Sequence, residues 1–502
     1  MASRSYHVNR RGFLVLAAAA VAAGCTRDRS APPVPEELQA PPRVLGYSTG
    51  SSILWADDAD VSRTMAAVRD GGATSVRIDI SWRFAEPARG QYDWRPSDRV
   101  VDAARAAGLD VVATLTTTPA WAAIGFSDLA AAAPRNPQEY GAFAGVVADR
   151  YRGRVSTYEI WNEPNGRLFF WPNPDPARYT AMLRSAFTAV TASDPDAVVV
   201  AGALGNTDTT DGRMDSNDFL LGMYDAGAAG SFHALSYHAY DYGTTLADAG
   251  LYPNSAVQQI IRMRQTMVAH GEAAARIWIT EYGAPDTGVD ADTQARLIVE
   301  SAQQWGEVPY GGPFYVYTVR DGDSRSSDPE ARFGVLDDAF VPKPVYGQLA
   351  ALAAAGLPQR DIANRFDAAA PSDLGEPRGP VFALPAGSGR QYTHGSLYST
   401  SSGWLTSPPA VADIARTTGL VPAGPFHDGY QDLLADGGFR VFSDPRFGTW
   451  AVVGAILDQW RPELGFPVTG EYETPDGQRV VDFESGRILW NPTDGAVVVR
   501  DR

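Results

Sequence analysis

The chain has 502 residues, more than one ordinary domain needs, and 44% of them are hydrophobic, enough for a sizeable core. Its net charge of −17 repels phosphate backbones, so nucleic acid is not an expected partner, whereas a neutral polysaccharide is not repelled. The only cysteine, Cys25, excludes an intrachain disulfide, and the six scattered histidines form no metal-binding pair, so we expect no metal or cofactor.

The first 25 residues have the organisation of an export signal. A basic region containing Arg10 and Arg11 precedes an apolar run that is too short to span a bilayer. This segment resembles a twin-arginine signal peptide ending in a bacterial lipobox, which implies lipid acylation of Cys25 and anchoring to the outer face of the cytoplasmic membrane. The alternative is a soluble secretory signal with an incidental cysteine. Residues 26–42 are polar and proline-rich, which favours a flexible linker.

Residues 43–357 alternate between short apolar runs and longer alanine-rich segments of helical character, which predicts βα units and a parallel sheet. The predicted strands are Val44–Gly50, Ser75–Trp82, Leu109–Thr116, Thr157–Asn162, Ala197–Leu204, Ala234–Tyr240, Ile277–Tyr282 and Phe314–Val319. Eight strands with interposed helices favour an α/β fold of the (β/α)8, or TIM barrel, type. A doubly wound open sheet is the alternative, but the turn after the first strand lacks the glycine-rich motif typical of that fold.

Two glutamates, Glu163 and Glu281, lie at the ends of predicted strands four and seven. In a TIM barrel both side chains would reach the same mouth, where the chemistry of this fold is performed. Two converging carboxylates are what glycoside hydrolysis needs: one protonates the leaving oxygen and the other stabilises or attacks the anomeric carbon. The alternative is a pair of rim glutamates held in salt bridges.

The sequence around both glutamates resembles clan A glycoside hydrolases. Trp161–Pro164 and Ile279–Gly283 are similar to the strand-four and strand-seven signatures of that clan. Val76–Asp79 and Thr118–Trp121 resemble the strand-two and strand-three ends of family 39 and related cellulase-like families. The resemblance covers about residues 43–357 and implies a TIM barrel with retaining glycosidase activity.

The resemblance also implies roles for individual residues. Glu163 would be the acid/base and Glu281 the nucleophile. Asn162 would bind the sugar 2-hydroxyl, and Arg77 would lie beside Glu281 and favour its charged form.

Four further residues are expected to bind substrate. His238 and Tyr240 match the strand-six pair, in which the tyrosine contacts the nucleophile and the histidine lines the pocket. Tyr317 stands where many clan members have a tryptophan at the end of strand eight. Trp121 is the tryptophan we expect to stack on a sugar face.

After residue 357 the alternation stops, and short β-prone runs with glycine and proline predict a smaller β-rich repeat domain over 358–502. Leu374–Pro377 matches Leu464–Pro467, and a third glycine-led turn lies between them, which favours three stacked units. Leu464–Pro467 and Phe483–Ile488 resemble LGFP repeats, which implies association with cell-wall glycan. The alternative is a domain that only supports the barrel.

The function predicted from these features is retaining hydrolysis of an extracellular or cell-envelope polysaccharide. Two alternatives stay open: a transglycosylase using the same site, and a non-catalytic envelope protein that binds glycans. The intact motifs around Glu163 and Glu281 favour an enzyme. Substrate choice lies in the barrel loops, so the sequence does not identify the sugar.

Overall fold

The computed structural model describes residues 44–493, 495 and 497–501. The predicted export signal, its lipidation site Cys25 and the linker 26–42 lie outside the described residues. No helix within the described ranges is long and apolar enough to cross a membrane.

Eight parallel strands close into a barrel in sequential order, with the eighth strand paired to the first. The strands are β1 (Leu45–Ser48), β2 (Ser75–Ser81), β3 (Asp110–Thr116), β4 (Thr157–Ile160), β5 (Val198–Gly205), β6 (Ala234–His238), β7 (Arg276–Tyr282) and β8 (Gly311–Tyr317). The predicted TIM barrel is confirmed, and the open-sheet alternative is excluded by the pairing of β8 with β1.

Helices surround the barrel. They are α1 (Asp58–Asp70), α2 (Trp82–Ala85), α3 (Arg95–Ala106), α4 (Pro137–Tyr151), α5 (Pro176–Ser193), α6 (Ser216–Asp225), α7 (Leu246–Ala249), α8 (Ala256–Ala269), α9 (Ala291–Trp305) and α10 (Pro344–Ala354). Several begin at side-chain caps: Asp57, Asn136 and Asp175 each accept a hydrogen bond from a first-turn backbone N–H. Proline in the first turn of α4 and α5 adds to this, because its fixed φ suits that position.

The rest of the described chain forms three antiparallel sheets, as the prediction of a β-rich region required. They consist of β9 (Phe382–Leu384), β10 (Gly387–Tyr392), β11 (Gly395–Thr400) and β12 (Gly403–Ser407); β13 (Tyr430–Leu433), β14 (Phe439–Asp444) and β15 (Gly448–Val453); and β16 (Tyr472–Glu473), β17 (Arg479–Phe483), β18 (Gly486–Trp490) and β19 (Val497–Asp501). A helix precedes each sheet, which the sequence did not indicate: α11 (Asp361–Ala369), α12 (Pro409–Thr418) and α13 (Gly454–Asp458).

The two segments matched in sequence adopt the same turn. Gly375 has φ 72° and ψ −154°, and Gly465 has φ 73° and ψ −156°, each directly after a short 3-10 helix. This backbone region is open essentially only to glycine. The repeat is therefore structural, although most of its side chains differ.

The β-rich region packs directly on the barrel. Glu307, which is fully buried, forms an ion pair with Arg360 and accepts a hydrogen bond from Val381 N at 2.8 Å. Arg416 of α12 donates to the carbonyl of Gly250 at 2.7 Å, just after α7. The repeats therefore brace the segment that follows β6.

Candidate active site

Arg77 is the centre of the site. It lies on β2 inside the barrel with 2% of its side chain exposed. Four of its five N–H donors form hydrogen bonds. The acceptors are Glu159 Oε2 at 2.7 Å from Nε, Ser48 Oγ at 3.2 Å, Glu281 Oε1 at 2.5 Å and Asn162 Oδ1 at 2.9 Å. Nη2 also lies 2.6 Å from Glu159 Oε2 in the same ion pair. Arg77 thus ties strand ends from β1, β4 and β7 to β2.

The two glutamates meet at one histidine nitrogen. His238 Nδ1 lies 2.8 Å from Glu163 Oε1 and 3.6 Å from Glu281 Oε2. The sum of these two lengths, 6.4 Å, is the largest separation these two oxygens can have. Both carboxylates are partly exposed, by 22% and 14%, whereas His238 is fully buried beneath them. A small ligand can therefore reach both carboxylates from the solvent.

The backbone at the end of β4 turns sharply to present Glu163. Trp161 and Glu163 have φ of 72° and 46°, in the left-handed region that costs a non-glycine residue about 1 kcal/mol or more. The turn is held because Glu163 N donates to Ala203 O at 2.9 Å and the buried Trp161 indole donates to Phe169 O at 2.9 Å. Strained backbone of this kind is concentrated at functional sites.

Aromatic rings line the β6 and β8 side of the mouth. The hydroxyl of Tyr240 donates to Glu281 Oε2 at 3.1 Å. The ring centroid of Phe333 lies 6.0 Å from that of Tyr240 and 5.5 Å from that of Tyr317. Burial and the charge of Glu281 raise the pKa of both tyrosines well above the usual value, so their hydroxyls stay protonated and able to donate.

The buried charged groups at the site shift one another's pKa values. Burial favours the neutral form of His238, but Glu281 and Glu163 outweigh it and raise the histidine pKa. Burial likewise opposes the charge of Glu159, but Arg77 and His238, with the hydroxyls of Ser236 and Thr280, together outweigh it and hold the pKa of that carboxyl below its ordinary value. Each charge is therefore sustained by its neighbours, the usual condition for burying charged groups.

Trp121 is placed differently from the other predicted residues. Its indole donates to Glu86 O at 3.0 Å, its ring packs edge-on against Trp82, and the guanidinium of Arg89 covers it at 4.4 Å. None of these contacts involves the residues around the glutamates. The structure brings together the other seven predicted residues: Arg77, Asn162, Glu163, His238, Tyr240, Glu281 and Tyr317.

Several residues of the site were missed in the sequence. Glu159 had a visible signal, because an acid inside a buried strand four residues before Glu163 needs a cationic partner. Gly205 had none: an added Cβ there would lie 3.1 Å from Glu163 Cδ, so only the fold reveals that glycine makes room for the carboxylate. Phe333, which contacts the rings of Tyr240 and Tyr317, was not among the predicted site residues. No group of three or more His, Cys, Asp or Glu suited to a metal ion occurs among the described residues.

Comparisons with known proteins agree with this geometry. Residues 37–310 match the family model described as cellulase (glycosyl hydrolase family 5), and residues 464–502 match that of the LGFP repeat. No curated protein matches the chain in sequence.

Solved structures with a similar fold are glycoside hydrolases. A family 39 glycoside hydrolase from Bacteroides cellulosilyticus WH2 is 18% identical, with a TM-score of 0.51 over 84% of this chain and 81% of that one. A family 5, subfamily 18 enzyme from Streptomyces cattleya in complex with GlcNAc is 19% identical, with a TM-score of 0.49 over 63% and 82%. A monomeric beta-xylosidase from Caulobacter crescentus CB15 is 20% identical, with a TM-score of 0.46 over 62% and 70%.

The family model covers more than half of the chain, and the predicted resemblance to clan A and to LGFP repeats is confirmed at this level. The prediction of an enzyme acting on carbohydrate is confirmed as well, and the non-catalytic alternative is set aside. The chain belongs to glycosyl hydrolase family 5 and is a glycosidase.

Proposed function

We propose that this glycosidase retains anomeric configuration by double displacement, with Glu163 as acid/base and Glu281 as nucleophile. The observation that carries the proposal is the convergence of both carboxylates on His238 Nδ1, which limits their facing oxygens to a 6.4 Å separation. Carboxyl groups about 5–5.5 Å apart favour retention, whereas separations of about 6.5–9.5 Å leave room for the water of inversion.

Glu281 has the contacts of a nucleophile. Arg77 donates to Oε1 at 2.5 Å and Tyr240 to Oε2 at 3.1 Å, so negative charge on the carboxylate is stabilised and its orientation is held. In the first step one oxygen of Glu281 bonds to the anomeric carbon while the glycosidic C–O bond breaks. The covalent glycosyl ester is then hydrolysed in the second step.

Glu163 has the contacts of a proton carrier. No arginine donates to it among the described residues, its only described side-chain hydrogen bond is with His238 at 2.8 Å, and it is the more exposed of the two carboxyls. In the first step it gives its proton to the leaving oxygen, and in the second it takes a proton from the attacking water.

Neighbouring residues orient the sugar. Asn162 Oδ1 accepts from Arg77 at 2.9 Å, so the amide is fixed and its NH₂ group is left to donate to the 2-hydroxyl. Tyr317 forms a wall of the sugar site from the end of β8. A sugar-stacking role for Trp121 remains a prediction.

We also propose that the substrate is an extracellular or cell-envelope polysaccharide and that the LGFP-like repeats bind cell-wall glycan. The match of residues 464–502 to the LGFP repeat supports envelope association. Export by the twin-arginine route and lipid anchoring at Cys25 are proposed from the sequence alone. Incubation with purified envelope polysaccharides and mass analysis of the fragments would identify the substrate. Product analysis at high acceptor concentration would distinguish transglycosylation.

The stereochemistry is tested by following the first product in real time. Proton NMR of an aryl glycoside digest should show the released sugar first in the anomeric configuration of the substrate, with the other anomer growing in only by mutarotation. Because the proposed intermediate is formed and broken by two inversions, retention is required. Initial release of the opposite anomer would contradict the proposal.

Gly205→Ala should lower kcat/KM about tenfold with little change in stability, because displacement of a catalytic group by a fraction of an ångström is costly. The new Cβ would lie 3.1 Å from Glu163 Cδ and 3.2 Å from Oε2, so the carboxylate must shift. The assay is kinetics on the fastest aryl glycoside. Gly347→Ala is the matched control, because no atom lies within 4 Å of its added Cβ. Equal activity of the two variants would show that Glu163 tolerates the displacement.

A further inference from the structure

Asp79 lies in the site, but the proposed mechanism gives it no role. It follows Arg77 by two residues on β2, so both side chains point to the same face of the strand, toward the barrel interior. Its neighbours Ile78 and Ile80 are buried, whereas Asp79 is partly exposed. The backbone of Asp79 is therefore one layer nearer the mouth than that of Arg77.

No side chain or backbone N–H of the described residues donates a hydrogen bond to this carboxylate. The nearby cation, Arg77, donates its hydrogen bonds to other acceptors. Its other charged neighbours include Glu281 and Glu159, which repel it. Burial, opposed by Arg77 and reinforced by Glu281, raises the pKa of Asp79 to about 6. A partly exposed carboxylate that receives no donor from the described protein groups is free to accept hydrogen bonds from a ligand.

The position of Asp79 in the ring decides which part of a substrate it faces. β2 and β8 flank β1, so Asp79 and Tyr317 share one side of the mouth, and the charge of Asp79 helps to raise the pKa of Tyr317. Glu163 stands across the mouth, between Gly205 of β5 and His238 of β6. Since the leaving group departs beside its proton donor, Asp79 faces the sugar that becomes attached to Glu281.

We infer that Asp79 is a specificity-determining residue whose carboxylate accepts hydrogen bonds from glycone hydroxyls beyond C2 and thereby selects neutral sugars over uronic acids. The inference rests on the proposed function. The anomeric carbon lies at Glu281 and the 2-hydroxyl at Asn162, so the hydroxyls left to face Asp79 are those farther around the ring. A sugar carboxylate in that place would meet Asp79 and Glu281 and be repelled.

The test compares unmutated enzyme with Asp79→Asn on 4-nitrophenyl glycosides. The panel contains neutral pyranosides and furanosides, the matching uronides, and the 3-deoxy and 4-deoxy (or 5-deoxy) analogues of the fastest neutral substrate. For the unmutated enzyme, loss of one of these hydroxyls should lower kcat/KM about 100-fold, the value of a hydrogen bond to a charged group. On the parent substrate, Asp79→Asn should have a kcat/KM about 100-fold lower than the unmutated enzyme. Removal of the same hydroxyl from the substrate should then lower the kcat/KM of Asp79→Asn by less than about a further fivefold.

The outcomes separate this inference from the proposed function. The role of Asp79 alone would be overturned if removal of the hydroxyl lowered kcat/KM by the same factor in both enzymes. It would also be overturned if the unmutated enzyme turned over a uronide faster than every neutral glycoside. No turnover of any member by the unmutated enzyme would overturn the proposed function and this inference together. Asp102→Asn, an exposed aspartate on α3, is the matched control and should match the unmutated enzyme.

A second measurement covers the case in which Asp79→Asn does not fold. The unmutated enzyme is inactivated with the 2-deoxy-2-fluoro analogue of its fastest substrate and crystallised as the trapped adduct. A sugar hydroxyl oxygen within about 3 Å of an Asp79 oxygen would support the assignment. An adduct with no sugar hydroxyl at hydrogen-bond distance from Asp79 would refute it.

Discussion

Glu281→Gly is expected to lose at least about 10⁴-fold in kcat/KM, and added azide is expected to restore turnover with a glycosyl azide of inverted configuration as product. Removal of the side chain leaves an anion-sized space beside Arg77 and Tyr240, whose donors lose their acceptor. Azide occupying that space attacks the anomeric carbon once, from the side of the missing carboxylate. Glu163 still protonates the leaving oxygen. The measurements are rate against azide concentration and NMR of the product.

Two controls make this result specific. Glu163→Gly should also respond to azide, but only with a substrate whose leaving group needs no proton, and its product should keep the configuration of the substrate. Glu300→Gln, an exposed glutamate on α9, should keep full activity and give no azide response. Rescue of Glu163→Gly with inversion, and none for Glu281→Gly, would require the two roles to be exchanged.

The barrel was predictable because buried parallel strands leave a strong pattern. Each predicted strand overlaps an observed one, and most boundaries differ by one to three residues. Runs rich in β-branched residues between helical segments occur in few folds, so the order of elements favoured the barrel, and the missing glycine-rich turn argued against a doubly wound sheet. The ends of the fourth and seventh strands, and hence the region of Glu163 and Glu281, followed from that order.

The limits of prediction lie in contacts made across the barrel. The pairing of Arg77 with Glu159 joins strands 82 residues apart in sequence, and no local pattern encodes it. The space beside Gly205 is likewise a property of packing. The sugar-stacking role of Trp121 stays a prediction, but the sequence did not indicate that Arg89 covers its ring or that Glu86 O accepts its N–H. The exposure of a side chain and its contacts decide such a role, and both depend on the tertiary structure.

The repeat region was predictable in kind but not in detail. Glycine at Gly375 and Gly465 leaves a sequence signal because the turn requires a φ near +70°. The helices α11, α12 and α13 left a weaker signal, since they are short and lie between glycine- and proline-rich segments. Their existence depends on packing against the sheets and, for α12, on the barrel contact of Arg416.

Arg77→Met should destabilise the protein by about 3–5 kcal/mol, because it leaves a buried carboxylate without its cation. Glu159 is fully buried, and Arg77 is the described residue that forms an ion pair with it. Methionine has a similar length and no charge, so most of the loss comes from the uncompensated carboxylate rather than from a cavity. The measurement is the free energy of unfolding at pH 7, obtained from the denaturant transition in which the barrel unfolds.

The double variant Arg77→Met/Glu159→Gln separates stability from activity. Neutralising Glu159 removes the stranded charge, so the double variant should be more stable than Arg77→Met by at least about 1 kcal/mol. It should nonetheless remain inactive, since Glu281 and Asn162 still lack the guanidinium that orients them. If the double variant lost as much stability as the two single variants combined, Arg77 would not compensate the buried charge of Glu159. The matched surface pair Arg69 and Asp70, both more than half exposed, should change stability by at most about 0.5 kcal/mol when neutralised in the same way.

The pH dependence follows from the direction of the Glu159 pKa. In the unmutated protein this pKa is lowered, because Arg77 and His238, with the hydroxyls of Ser236 and Thr280, together outweigh the burial that would raise it. The pair with Arg77 therefore stabilises the fold above the ordinary value of 4.5, and the effect fades as the pH falls through the lower folded value. In Arg77→Met the largest opposing influence is lost and burial raises the pKa, so the penalty appears as the pH rises and disappears when Glu159 is protonated. On acidification the unmutated protein loses stabilisation and Arg77→Met loses its penalty, so both effects reduce the difference in stability between them. The stability difference between the two proteins should therefore shrink on acidification from pH 7 toward pH 4, and a difference that stays constant over that range would assign the loss to packing instead of charge.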